Sequence, residues 1–182
     1  MEFISDRISI KKNENETSIV ILSFSDKLKN KLLLTWLILW TAGGLIVLSQ
    51  FFTFSDPNTK IAIIVWMGFW VYFEFKIWSA YLWRKNGKET IRIKNDKLYY
   101  KKDSLGTNKF KTYGTDFIKN LKLIEAKDDS FLESLNNSYW VIGGEKIAFD
   151  FYGKKIKLGI QLSDKEAKSL LKVIKTEIES KN

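Results

Sequence analysis

Glu74 and Lys76 stand inside the otherwise apolar run IAIIVWMGFWVYFEFKIWSAYLW, which starts at Ile61. An ionisable side chain in a membrane helix is a functional candidate, because charge is costly in hydrocarbon and a carboxylate there can carry protons or hold a cation. Two residues of helix turn the chain through roughly 200°, so the two charges face apart and cannot neutralise each other. Lys76 has an explanation without function: its stem can lie along acyl chains while its ammonium reaches the headgroups. Glu74 shares a helical face with Trp70, Val71, Trp78 and Tyr81. It needs a donor from a neighbouring helix, and Thr35, Trp36 and Lys31 are the expected partners. It is the only acid in the two long apolar runs, and two helices enclose no pathway. An interfacial carboxylate paired to a lysine or an indole is therefore favoured, and a transport role for Glu74 needs a homo-oligomer of hairpins.

The other side chains with chemistry to offer are lysines at strand ends: Lys101 and Lys102, and Lys154, Lys155 and Lys157 around a turn. Such clusters attract anionic headgroups or an acidic protein surface, and a merely solvated lysine face is the competing reading. The same lysines with Tyr99, Tyr100, Tyr113 or Tyr152 for stacking would suit single-stranded nucleic acid. With only three arginines in the chain and a tether to a membrane, no nucleic-acid partner is expected. The chain has no cysteine and no histidine, which excludes disulfides, zinc-thiolate sites, thiol nucleophiles and histidine triads. Asp116, Asp128, Asp129 and Asp150 have no spacing of a paired acid and base, and no phosphate loop or nucleophile elbow is present. Neither catalysis nor a cofactor or metal is expected.

These groups are positioned by two kinds of element. From Leu32 to Phe54 there are 23 consecutive uncharged residues, enough for a helix to cross a hydrocarbon core of about 30 Å. The predicted spans cover about 32–54 and 61–83, so that residues 31–84 form a helical hairpin turned at SDPNTK. From Ile61, Glu74 lies about 20 Å and Lys76 about 22 Å along the second helix, in its inner third. Lys27, Lys29 and Lys31 precede the first span, and Arg84, Lys85 and Lys88 follow the second. By the positive-inside rule both termini are cytoplasmic in a multi-pass protein of the cell (inner) membrane. Gly43 and Gly44 allow close helix approach. Charge follows the same division: residues 84–182 carry 22 basic and 14 acidic side chains, whereas residues 1–30 carry five of each.

Outside the spans the period changes to alternation, the mark of strands with one buried face. Residues 1–30 read as a cytoplasmic β-hairpin, RISIKK and TSIVILSF around a polar turn, expected to extend the sheet of residues 88–182. Ile91 and Ile93 alternate with charges before an Asn95-Asp96 turn, and Leu121 and Leu123 point away from Lys122. Trp140 and Ile142 lead as strand into Gly143-Gly144. Ile147, Phe149 and Phe151 alternate with Ala148, Asp150 and Tyr152; after a turn at Gly153-Lys154, Ile156, Leu158, Ile160 and Leu162 form the next inward row. Ser163 and Glu166 then make a capping box, and Ala167, Leu170, Leu171, Ile174 and Ile178 form one helical stripe.

About seven strands closed by a C-terminal helix, with the run IAFDFYGKKIKLGIQLSDKEAKSLLKVI after a two-helix hairpin, resembles small bacterial integral membrane proteins that carry a PH-like cytoplasmic domain. No tryptophan on the closing helix and no phosphoinositide motif accompany the likeness. It implies an α+β membrane protein: a transmembrane hairpin plus an antiparallel β PH-like domain closed by an amphipathic helix. The expected function is a membrane-anchored interaction module whose basic domain binds a protein partner or the anionic lipid surface. The alternative is a subunit of a small oligomeric transporter or channel using Glu74.

Overall fold

The computed structural model describes residues 2–124 and 139–179. Three strands come first, β1 (Glu2–Ser5), β2 (Ile8–Lys12) and β3 (Glu16–Leu22), followed by two long helices, α1 (Lys27–Thr53) and α2 (Pro57–Asn86). Then come β4 (Lys88–Lys94), β5 (Lys97–Asp103), β6 (Lys111–Gly114), a short turn of 3-10 helix at Thr115–Phe117, β7 (Ile118–Leu123), β8 (Glu145–Phe151), β9 (Lys154–Ile160) and the closing helix α3 (Asp164–Glu179). The fold is α+β, with antiparallel sheets and a C-terminal helix.

β1 to β6 form one sheet in sequence order, and β7, β8 and β9 form a second. β3 and β4 pair along their whole length, from Glu16 opposite Lys94 to Leu22 opposite Lys88. One residue further, the Ser23 N–H donates to the Gly87 carbonyl at 2.9 Å. The helical hairpin is thus an insertion at the open end of a β-hairpin, and the N-terminal strands belong to the same sheet as β4.

Period-2 alternation carries the core. Ile8 and Ile10, Ile19 and Ile21, Ile91 and Ile93, and Leu98 and Tyr100 bury one face of the first sheet; Ile147, Phe149 and Leu158 meet them from the second. α3 closes the space with Ala167, Leu170 and Ile174 buried and Leu171 and Ile178 packed at the margin. Its capping box forms: Glu166 accepts from the Ser163 N–H and hydroxyl, both at 2.9 Å. Asn95 (φ 49°) and Asp96 (φ 54°) turn β4 into β5, residue types that tolerate left-handed backbone. The β8–β9 turn is Tyr152 (φ 46°) and Gly153 (φ 75°), one residue before the expected position, because Phe151 already pairs with Lys154.

Both helices outrun the apolar stretches because their caps sit outside them. Asp26 accepts from the N–H groups of Leu28 and Lys29, and Asp56 from that of Thr59, with Pro57 in the first turn of α2. Only Phe54, Ser55 and Asp56 separate the helices. Both are long and apolar enough to cross a membrane, and the most apolar stretch of α2 buries none of its residues. The Trp70 indole lies on Gly44, where an added Cβ would come within 2.0 Å of it, and its N–H donates to the Trp40 carbonyl at 3.1 Å. Gly43 faces open space, so one of the two glycines serves close approach.

Leu33, Leu37 and Ile77 form a smaller core between the helices, joined by Trp36, Tyr81 and Tyr139. The strand expected through Trp140 and Ile142 does not form. The Tyr139 hydroxyl instead accepts from the Asp26 N–H at 3.2 Å and donates to Asn30 Oδ1 at 2.5 Å. That contact runs the segment across the start of α1 rather than along β8.

Candidate functional site

The lysines singled out as candidate contacts, Lys101 and Lys102 and the cluster Lys154, Lys155 and Lys157, lie in two separate places. Lys154, Lys155 and Lys157 are exposed at the start of β9. The other end of that strand, Ile160, abuts β4 just after α2, so the length of strand sets Lys154 about 20 Å and Lys157 about 10 Å from the helical hairpin. Lys101 and Lys102 lie at the opposite end, and adjacent strand residues face opposite ways. Lys101 Nζ reaches Asp103 at 3.1 Å and the Phe110 ring at 5.2 Å. Lys102 points inward with Leu98 and Tyr100; its Nζ lies 5.2 Å from the Trp83 ring and 3.9 Å from Glu145. Burial lowers the Lys102 ammonium below the ordinary lysine range, against the pull of Glu145 and Glu89. Among the acids, Asp150 accepts from the Asn120 amide at 2.8 Å, Asp116 sits in the 3-10 turn, and Asp128 and Asp129 lie outside the described residues.

Glu74 finds a different donor from those expected. Its Oε1 is 2.8 Å from the Thr41 hydroxyl, whereas among the described residues Thr35, Trp36 and Lys31 make no hydrogen bond or ion pair with it. The helices pair so that Gly44 meets Trp70 and Leu37 packs with Ile77. This register brings Glu74 to α1 six residues beyond Thr35, about 9 Å along the axis. Glu74 Oε2 is buried with no hydrogen-bond partner among the described residues. Lys76 Nζ sits 5.5 Å from the Tyr72 ring on its own helix, four residues back, and makes no ion pair with Glu74 among the described residues.

The polar groups that do converge lie where the helical hairpin meets the two sheets. Glu89, one residue into β4, shares its inward face with Ile91 and Ile93 and is 1% exposed. Its Oε1 accepts from the Ile160 N–H at 2.6 Å, and its Oε2 from the Gly159 N–H and the Tyr100 hydroxyl, both at 2.9 Å. Successive strand N–H groups normally point apart; the Gly159 φ of 76° turns these two toward one carboxylate, as in a backbone nest. Glu89 therefore joins β4 of one sheet to β9 of the other. Burial pushes its carboxyl above the usual range, outweighing the bonds from Ile160, Gly159 and Tyr100 and the charge of Lys102. Burial beside Glu89 pushes the Tyr100 hydroxyl up as well.

Arg84, expected as a cation flanking the second span, is fully buried instead. It donates to Gln161 Oε1, to the Phe24 carbonyl at 3.4 Å and to the Val141 carbonyl at 3.3 Å, with the Tyr139 ring 4.5 Å away. Arg7 reaches the same residue from the other side, donating to the Gln161 carbonyl at 3.0 Å and to the Leu22 carbonyl. Beside this clamp a groove of about 800 Å³ opens between β1, the start of α1 and the start of α3. Arg7, Lys29, Lys146 and Lys165 line it, with Glu166 the one acid on its wall among the described residues.

Sequence reading did not single out Glu89, Arg7, Lys146 or Lys165, and marked Lys29 only as a charge at the entry of the first span. For Glu89 a signal existed: in KETIRIK it falls on the same alternate positions as Ile91 and Ile93. The groove has no such signal, because its cations come from four separate segments. No protein-family model, no curated protein and no solved structure matches this chain.

Proposed function

We propose that the chain is a membrane-anchored interaction module. The two helices cross the bilayer as a hairpin, both termini stay cytoplasmic, and the β-rich domain meets the anionic lipid surface or a protein partner without catalysing a reaction. The observation that carries this reading is the unbroken pairing of β3 with β4 around the helical insertion. A hairpin that leaves and re-enters neighbouring strand ends returns to the side it left. Its outer apolar residues, among them Ile46, Phe52, Phe69 and Phe75, are exposed, which water tolerates poorly and lipid covers. Lys27, Lys29 and Lys31 stand at the domain end of the hairpin, while the Phe54–Asp56 loop carries a single acid, the charge bias of a cytoplasmic domain. β3 to β6, then β7 to β9, then α3 follow the strand and helix order of a PH-like domain, with β1 and β2 as additions.

The pairing also sets the test. Replacing residues 24–86 by Asn-Gly joins Ser23 to Gly87 through a favoured two-residue turn. The shortened chain should be a folded protein that stays soluble after ultracentrifugation, whereas the full chain sediments with membranes and needs detergent. A reporter inserted at Ser55 should respond as external, and reporters at both termini as cytoplasmic. A full chain that remains soluble without detergent, or a C-terminal reporter found outside, removes the proposal.

A further inference from the structure

Among the described residues, the groove beside Gln161 is lined by four cations and one acid. That acid, Glu166, is already engaged: it accepts from the Ser5 hydroxyl at 2.7 Å and from Ser163, and lies 3.9 Å from Arg7. Lys146 reaches Asp164 at 3.2 Å, but the Asp164 side chain is 82% exposed, so solvent screens that pair. Lys29 and Lys165 are exposed and have no carboxylate partner among the described residues. Lys165 stands in the first turn of α3, the end of a helix where a cation is disfavoured and a nearby anion is favoured. Lys29 lies 5.8 Å from the Tyr139 ring, and the Phe24 ring, 5.5 Å from the Arg7 guanidinium, supplies an apolar side to the groove.

The position of Lys29 restricts what fills this space. It stands between Leu28 and Leu32 on the first turns of α1, three residues or about 4.5 Å along the axis before Leu32, and both leucines are exposed. An occupant that satisfies both surroundings presents an anionic, multiply accepting group to Lys29, Lys165, Lys146 and Arg7, and an apolar body to α1. We infer that the groove holds the headgroup of an anionic phospholipid from the cytoplasmic leaflet, its phosphodiester between Lys29 and Lys165 and its acyl chains along the Leu28 and Leu32 side of α1. The inference rests on the membrane reading above and gives the lipid contact an address other than the distal Lys154, Lys155 and Lys157. Headgroup occupancy would hold α1 against α3 and so fix the domain relative to the bilayer.

The test uses the full chain in mild detergent with phosphatidylglycerol and phosphatidylcholine added in equal amounts, and counts retained lipids by native mass spectrometry. The wild type should retain phosphatidylglycerol preferentially. Removing a basic side chain near an anionic lipid weakens the contact about fivefold, so Lys29→Gln with Lys165→Gln should lower the preference about 25-fold. Lys154→Gln with Lys155→Gln, the same change in charge, should leave it unaltered. All four lysines are exposed, and matching thermal unfolding of the variants checks that the fold persists. Equal retention of the two lipids by the wild type, or an unchanged preference in the Lys29 and Lys165 variant, overturns the inference. Displacement of the bound lipid by excess inorganic phosphate would also overturn it by assigning the groove to a soluble anion. Membrane fractionation separates the two levels: a chain that sediments with membranes but shows no groove preference defeats only the headgroup site, and one that stays soluble defeats the anchor as well.

Discussion

Glu89 offers the most demanding check of how the domain is held together. Three donors end on its carboxylate: the N–H groups of Ile160 and Gly159 and the Tyr100 hydroxyl. In Glu89→Gln the carboxamide has one accepting oxygen. The Tyr100 hydroxyl can rotate to accept, but one backbone N–H must face the amide NH2 in either orientation. An orphaned buried donor costs about 1 to 3 kcal/mol. Glu89→Ala removes all three acceptor contacts and should cost at least twice as much. Thermal or denaturant unfolding of the detergent-solubilised chain, followed by tryptophan fluorescence, reads both, Trp83 being buried at the same junction. The sign with pH is opposite to that of a salt-bridged acid. Burial raises the folded carboxyl, so over the window from the ordinary carboxylate range up to that raised value the folded state keeps a proton that the unfolded chain has released. This contribution to stability is fully present below the window and is lost as pH rises through it. The Gln variant lacks that slope, so its deficit should be largest at the acidic end and shrink toward neutrality. A Gln variant as stable as the wild type throughout, or a deficit that grows with pH, would show that the carboxylate does not join the two sheets as described.

Gly44→Ala forces a Cβ into the Trp70 indole and should destabilise the helical pair by about 1 to 3 kcal/mol, whereas Gly43→Ala, with open space around it, should be near neutral in the same thermal assay. Phe149→Ala should cost about 3 to 5 kcal/mol from the shared core, and Tyr152→Ala, in the exposed β8–β9 turn at 70% exposure, should change the unfolding midpoint little; equal losses would contradict the assignment of Phe149 to the core and Tyr152 to the open turn. Glu74→Gln keeps a partner for the Thr41 hydroxyl and should insert and accumulate as the wild type does, the pair being worth about 1 kcal/mol. Complementation of a deletion strain across pH and salt checks whether Glu74 does more, since loss of growth at normal abundance, partly restored by Glu74→Asp, would support transport.

The elements were legible from the sequence because their signals are local. Two apolar runs long enough for helices, the second interrupted by Glu74 and Lys76, alternation through Ile91, Ile93, Ile147, Phe149 and Leu158, the Ser163 and Glu166 box, and the Ala167 to Ile178 stripe are all patterns read from neighbouring residues. Such patterns say which face of an element is buried. They do not say what covers it, and apart from the strand that does not form at Trp140 and Ile142 and the one-residue shift of the β8–β9 turn, the differences fall on that side of the line. Thr35 was expected opposite Glu74 because depth was counted from the ends of the apolar runs; the observed partner, Thr41, follows from the helical register marked by Trp70 on Gly44. Arg84 looks like an exit charge in sequence, and it is enclosed by residues distant from it in the chain, Gln161 after β9, the Phe24 and Val141 carbonyls and the Tyr139 ring. Glu89 alternates with the core isoleucines, but its tolerance there depends on two N–H groups from Gly159 and Ile160, about seventy residues away, turned inward by one left-handed glycine. The groove gathers Arg7, Lys29, Lys146 and Lys165 from segments with no shared period. Its position at the start of α1 exists because β3 pairs with β4 across the inserted helices. Hydrogen bonding between strands that distant in sequence is a property of the assembled sheet, and local periodicity holds no record of it.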